Sequence, residues 1–123
     1  MKLIHTDHAP AALGPYSQAY ISNGFLFASG QTGIDPTTGE VGADVVSQAE
    51  QVMKNLGAVL EAGGIDFTHV VKTTCFLADM GDFAAFNEVY ARYFTSKPAR
   101  SCVAVKDLPK GALCEIEAVA ELD

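Results

Sequence analysis

Two stretches of helical periodicity, each set between stretches of alternation, constrain this chain more than any other feature of its sequence. From Asp44 the period changes: Val46, Ala49, Val52, Met53, Leu56, Val59 and Leu60 recur at the spacing of one helix face. Gly63-Gly64 supplies the C-terminal stop. A second run, Phe83, Phe86, Val89, Tyr90, Tyr93 and Phe94, makes one wide apolar stripe with Asp82 as its candidate N-cap. So aromatic a stripe reads as core packed on a sheet, not as a cofactor box.

The segments around these helices carry strand signals. Leu3 and Ile4 form a short edge strand, and residues 18–21 and 25–29 flank the hairpin signal Ser22-Asn23-Gly24. Residues 70–77, 98–103 and 114–119 complete the set, giving the order β-β-β-α-β-α-β-β. A strand, a helix and a strand in succession predict a right-handed crossover. Hairpin-linked strands at both ends predict a mixed sheet with both helices on one face, an α+β layer of helix on sheet. If its far face is apolar, sister subunits are the natural cover.

Length and composition narrow the partners. At 123 residues the chain is expected to be one domain, 1–123, able to bury a core but small enough for a deep pocket to need a second subunit as a wall. Apolar residues make up 49% and charged residues 19%, which excludes a disordered chain. The net charge is −7, and the eight Lys and Arg are scattered, so a nucleic-acid backbone is disfavoured as a partner. Cys75, Cys102 and Cys114 are odd in number and widely spaced, which argues against a disulfide framework or zinc knuckle and fits a reducing compartment. Residues 1–7 lack the apolar run of a signal peptide. The uncharged stretch 8–34 is interrupted by Pro10, Gly14, Pro15 and Gly24, a poor spanning helix. A soluble, cytoplasmic protein is expected.

Few residues offer chemistry. His5 and His8 lie in an irregular segment without a third ligand, and His69 stands alone at a strand start, so no metal is expected. The nucleophile-elbow pattern is absent. Gly30-Gln31-Thr32-Gly33 is too short for a phosphate loop and lacks its lysine, and reads as a tight passage where backbone lines something. The last two strands hold more. Arg100, Cys102 and Ala104 share one face of their strand, as Glu115 and Glu117 do of theirs. An antiparallel pairing that sets Cys102 opposite Glu115 also sets Arg100 opposite Glu117, and a slip of one residue undoes it. Arg100 is then either the partner of Glu117 in a salt bridge or a fork for a ligand carboxylate. Glu115 is either a solvated edge residue or a general acid/base, Tyr16 a pocket wall or simple packing, and Cys102 a thiolate favoured by Arg100 or a packed small residue.

At these residues the chain resembles the Rid family of reactive intermediate deaminases, also called YjgF-like proteins. The resemblance runs from about Ala9 to Ala120. It rests on Gly14-Pro15-Tyr16-Ser17-Gln18-Ala19, Ala28-Ser29-Gly30-Gln31, Pro36-Thr37-Thr38-Gly39-Glu40, Val71-Lys72-Thr73-Thr74, Asp82-Phe83 with Asn87, Pro98-Ala99-Arg100-Ser101-Cys102-Val103, and Leu108-Pro109-Lys110 through Glu115-Ile116-Glu117-Ala118. It implies a chorismate-mutase-like α+β fold, a homotrimer with pockets between subunits, and cofactor-free hydrolysis of 2-imino or enamine acids, by-products of pyridoxal-phosphate enzymes, to 2-oxo acids and ammonia. By position, Arg100 would grip the substrate carboxylate and Glu115 would hold the attacking water, with Tyr16 beside them in the catalytic set. Ser29, Gly30, Asn87 and the backbone of Cys102 would line the pocket. Water addition to an imine asks for positioning and proton transfer, not a covalent nucleophile, which moves Cys102 to a packing role. Sensing of 2-oxo or imino acids without turnover is the alternative, and RNA cleavage or translation inhibition, attached to relatives, fits the acidic balance poorly. One departure stands out: Thr95-Ser96-Lys97 is shorter than the usual family loop, and Lys97 stands where an aromatic residue commonly precedes Pro-Ala-Arg.

Overall fold

A computed structural model describes residues 1–123, with the eight elements in the predicted order. These are β1 (Lys2–Ile4), β2 (Ala19–Ser22), β3 (Phe25–Thr32), α1 (Val45–Ala62), β4 (Val70–Leu77), α2 (Phe83–Tyr93), β5 (Ala99–Ala104) and β6 (Cys114–Glu121). Short 3-10 turns at Phe67–His69, Met80–Asp82 and Pro109–Gly111 join them.

The helix ends follow local chemistry. The Asp44 carboxylate accepts from the Ser47 amide at 2.8 Å while the Ser47 hydroxyl lies 3.4 Å from the Asp44 amide, a reciprocal cap. At the other end Gly64 takes φ 80°. Its amide donates to the Glu61 carbonyl at 2.9 Å and that of Ile65 to the Leu60 carbonyl at 3.1 Å, which ends α1 in a Schellman turn. Val46, expected on the inner face, is exposed; Val45, one turn before Ala49, is buried in its place. Asp82 makes no capping hydrogen bond with its side chain. Asp79 does this work from three residues earlier, accepting from the Gly81 amide at 2.7 Å and so capping the 3-10 turn that leads into α2. Glu50 on α1 ties the helices together, accepting from the Tyr93 hydroxyl at 2.6 Å and pairing with Arg92.

The sheet has the strand order β1-β2-β3-β6-β4-β5. The β2–β3 hairpin turns on Asn23 and Gly24, with φ 50° and 81°, the positive pair of a type I′ turn. The expected hairpin at the other end does not form. β5 pairs only with β4, in parallel, and β6 inserts between β3 and β4, antiparallel to both. Burial explains the choice. On β6 Cys114, Ile116, Ala118 and Ala120 are all buried, as an inner strand requires, whereas Ala99, Ser101, Val103 and Ala104 of β5 are exposed, which suits an edge.

This insertion also separates the two halves of the expected constellation. Arg100 and Cys102 pair with the buried Thr73 and Cys75, so they lie on the helix-covered face. Glu115 and Glu117 pair with Phe76 and Thr74 and lie on the other. A core of 24 buried residues fills the space between helices and sheet. On the far face Leu3, Phe25, Phe27 and Val103 remain exposed.

Candidate active site

The helix side of β5 holds a cation in a fixed posture. Arg100 donates from Nη1 to Oδ1 of Asn87 at 2.6 Å. Its guanidinium carbon lies 4.6 Å from the centre of the Tyr90 ring and 5.5 Å from that of Phe83. Phe83, Asn87 and Tyr90 share one face of α2 by helical spacing. The Tyr90 hydroxyl lies 2.7 Å from that of the fully buried Thr73, so the ring under the guanidinium is pinned as well. Phe83 and Tyr90 thus serve the arginine as well as the core. Their spacing around Asn87 was the available signal for this.

No carboxylate pairs with Arg100. The ion pairs of the chain are His5–Asp7, His69–Asp66, His69–Asp123 and Arg92–Glu50. The expected Glu117 partner lies on the opposite face of the sheet. Cys102 sits across from Cys75, and burial raises its thiol pKa even though Arg100 pulls the other way. Burial pushes Cys75 and Cys114 up to about 12. Thiolate chemistry is therefore disfavoured at all three cysteines.

The open side of β6 holds the carboxyl. In the β3–β6 ladder Ala28 faces Ala118 and Gln31 faces Ile116, which leaves Ser29 and Gly30 against the single residue Glu117. This is a β-bulge, a device that re-aims side chains beside functional sites. Ser29 is held by its hydroxyl to the Ser17 carbonyl at 2.6 Å and by its amide to the Gln18 carbonyl at 2.9 Å. Gly30 leaves the space that Glu115 occupies: a Cβ there would lie 2.4 Å from Glu115 Oε1. Glu115 is half-buried, and its pKa is raised, first by that burial and second by the neighbouring charge of Glu117. Tyr16, Ser29, Gly30, Glu115, Glu117 and Lys110 line one hollow of about 750 Å³.

Three buried carboxamides, not anticipated from the sequence, hold loops around this hollow. Gln18 donates to the Pro10 carbonyl at 2.8 Å and accepts from the Thr6 amide at 2.8 Å. Asn55 donates to the Thr32 and Ile34 carbonyls at 2.9 and 2.8 Å. Gln48 donates to the Gly42 carbonyl at 2.8 Å and accepts from the Leu113 amide at 2.7 Å, two residues before Glu115. The signal for Gln48 and Asn55 was a polar side chain on the inward face of an apolar stripe.

Of the predicted site residues, Tyr16, Ser29, Gly30 and Glu115 come together in one hollow. Asn87 and Arg100 line a second, of about 270 Å³, on the other side of the sheet. The fold and these side chains define a small α+β protein with an unneutralised arginine on one face and a carboxyl of raised pKa on the other. Residues 6–122 match the family described as endoribonuclease L-PSP, and the chain belongs to that family, the YjgF/Rid family. It is 58% identical over 123 residues to protein DfrA of Myxococcus xanthus, covering 97% of this chain and 94% of that one. It is 52% identical over 121 residues to the 2-iminobutanoate/2-iminopropanoate deaminase of Mus musculus, covering 97% and 90%. Among solved structures, E. coli TdcF with bound serine matches with a TM-score of 0.96 at 42% identity over all of both chains. The expected family and the expected α+β fold are thus both found.

Proposed function

We propose that this chain hydrolyses 2-imino acids such as 2-iminobutanoate and 2-iminopropanoate, and their enamine tautomers, to 2-oxo acids and ammonia. The observation that carries the reading is Arg100: a guanidinium held by Asn87 and two aromatic rings, with no carboxylate of its own chain to neutralise it. Such a fork is the complement of a ligand carboxylate. The deaminase name of the mouse relative supplies the reaction. Because Arg100 and Glu115 lie on opposite faces of one sheet, a single substrate meets both only where two copies adjoin. The exposed apolar residues of the open face suit that contact, and a homotrimer closes the arrangement.

The chemistry then proceeds by positioning and proton transfer. The iminium substrate is anchored through its carboxylate on Arg100. A water held by Glu115 attacks the imine carbon, giving its proton to the carboxylate as the C=N π pair moves to nitrogen. The carboxyl returns that proton to the amine nitrogen, an oxygen lone pair closes the C=O bond, and ammonia leaves with the C–N pair, taking up the hydroxyl proton as ammonium. Burial raises the pKa of Glu115, which makes its carboxylate a stronger base toward the water than a free glutamate. Tyr16, Ser29, Gly30 and the backbone of Cys102 wall the substrate.

The bound serine of TdcF favours one other reading, a binder of amino-acid-like carboxylates without turnover. One assay separates the two. Threonine dehydratase supplies 2-iminobutanoate, semicarbazide traps it, and the protein is expected to divert it to 2-oxobutanoate. Unchanged trapping would leave only the binder. Arg100→Ala should abolish the diversion while circular dichroism shows the fold retained. Sedimentation equilibrium should give a trimer, and a monomer at micromolar concentration would dismantle the shared site.

A further inference from the structure

Lys97 is the sequence departure that the proposed reaction leaves without a role. It lines the same hollow as Arg100, together with Asn87, Tyr90, Phe94 and Pro98, and no carboxylate is among the lining residues. Two cations and no anion in one hollow run against the composition of a chain with 15 acids and eight bases. Neither cation is paired within the chain. Nor is Lys97 on a loosely hung loop. Its backbone takes the left-handed φ of 55°, its amide donates to the Phe94 carbonyl at 3.2 Å, and Pro98 follows. A lysine held in that conformation between a helix end and a proline has its stem aimed from a fixed point, and such backbones gather at ligand clamps. Only Pro98 and Ala99 lie between Lys97 and Arg100, three residue steps of about 10 Å at most, within the combined reach of two long side chains.

We infer that Lys97 is a second anion-recognition residue, so that the favoured substrates are imines of amino acids whose side chain carries a carboxylate: 2-imino dicarboxylic acids. Arg100 takes the carboxylate beside the imine and Lys97 the distal one. This rests on the reading of Arg100 as a carboxylate clamp. Lys97 is exposed, so its effect is modest and sensitive to salt.

The test uses 2-oxoglutarate and 2-oxopentanoate, product-like acids of equal chain length that differ in the distal carboxylate, titrated into the assembled protein by calorimetry. At low ionic strength the wild type should bind 2-oxoglutarate about three- to five-fold more tightly, and added salt should erase the difference. Lys97→Arg should keep the preference, and Lys97→Met should bring the ratio to about one or below. Equal affinities in the wild type, or a Lys97→Met variant with an unchanged ratio, overturn the inference; so does a preference that salt does not reduce. Arg100→Met separates the two levels. If it weakens both acids while the Lys97 outcomes fail, only this inference falls; if it weakens neither, the clamp falls and the inference with it.

Discussion

Replacing Gly30 by alanine isolates the placement of Glu115 from everything else in the fold. The added Cβ would lie 2.4 Å from Oε1, 2.8 Å from Cδ and 3.1 Å from Cγ of Glu115. Ordinary contact begins at 3.4 Å, so Oε1 must retreat by 3.4 − 2.4 = 1.0 Å or more. The obstacle is the end of a flexible side chain, and Gly30 does not use a positive φ, so the backbone accepts alanine. Alanine also loses less chain entropy than glycine in a strand. The net stability change should therefore stay within about 1 kcal/mol, roughly 4 °C in Tm. On the proposed role of Glu115 in holding the water, a shift of that size is expected to lower kcat/KM about a hundredfold. The dehydratase–semicarbazide competition measures the second quantity and thermal melting the first. Activity within twofold of wild type would refute the argument, since it would mean that the position of Glu115 does not matter. A collapse in Tm would refute it differently, by making Gly30 a requirement of the fold.

Three further perturbations test the surroundings. Burial keeps a proton on folded Glu115 at pH values where the unfolded chain has released it, so stability falls as pH rises above the ordinary value of 4.5. Glu115→Gln should accordingly melt higher than wild type at about pH 7, with the gap closing toward about pH 4, while diversion of the imine is lost; identical melting across that range would contradict the burial of the charge. Thr73→Val leaves the Tyr90 hydroxyl without its partner inside the core, costing about 1–3 kcal/mol. It should raise KM more than it lowers kcat by loosening the ring beneath Arg100, and Thr73→Ser should restore both. Asp44→Ala removes one half of the reciprocal cap on α1 and should cost about 1 kcal/mol in urea unfolding, with specific activity per folded chain unchanged.

The elements were legible because their signals are local. The stripe from Ala49 to Leu60, the Asp44 start and the Gly63-Gly64 stop lie within one helix, and Asn23-Gly24 declares its own turn. Strand pairing is not local. Period two told which residues of β5 and β6 share a face, but the face itself depends on the neighbour, and β4 lies between the two. Hence Arg100, Cys102, Glu115 and Glu117 were assigned to one surface and lie on two. The bulge at Ser29 and Gly30 was likewise hidden, since it exists only as a mismatch against Glu117. Motif resemblance selects Tyr16, Asn87, Arg100 and Glu115 without regard to pairing, so that reading does not depend on the register. The carboxamides Gln48 and Asn55 were visible as polar interruptions of an apolar stripe, but what they hold could not be read from the stripe.

The insertion of β6 has a consequence for how the chain is made. β6 fills the gap between β3 and β4 and is synthesised after every other strand of the sheet. Until Cys114 and its successors emerge, the nascent chain carries two unpaired edges, that of β3 and that of β4, both flanked by apolar residues. The sheet cannot close progressively during translation; it closes once, when its central strand arrives, and the cation of one hollow and the carboxyl of the other acquire their fixed relation in the same event.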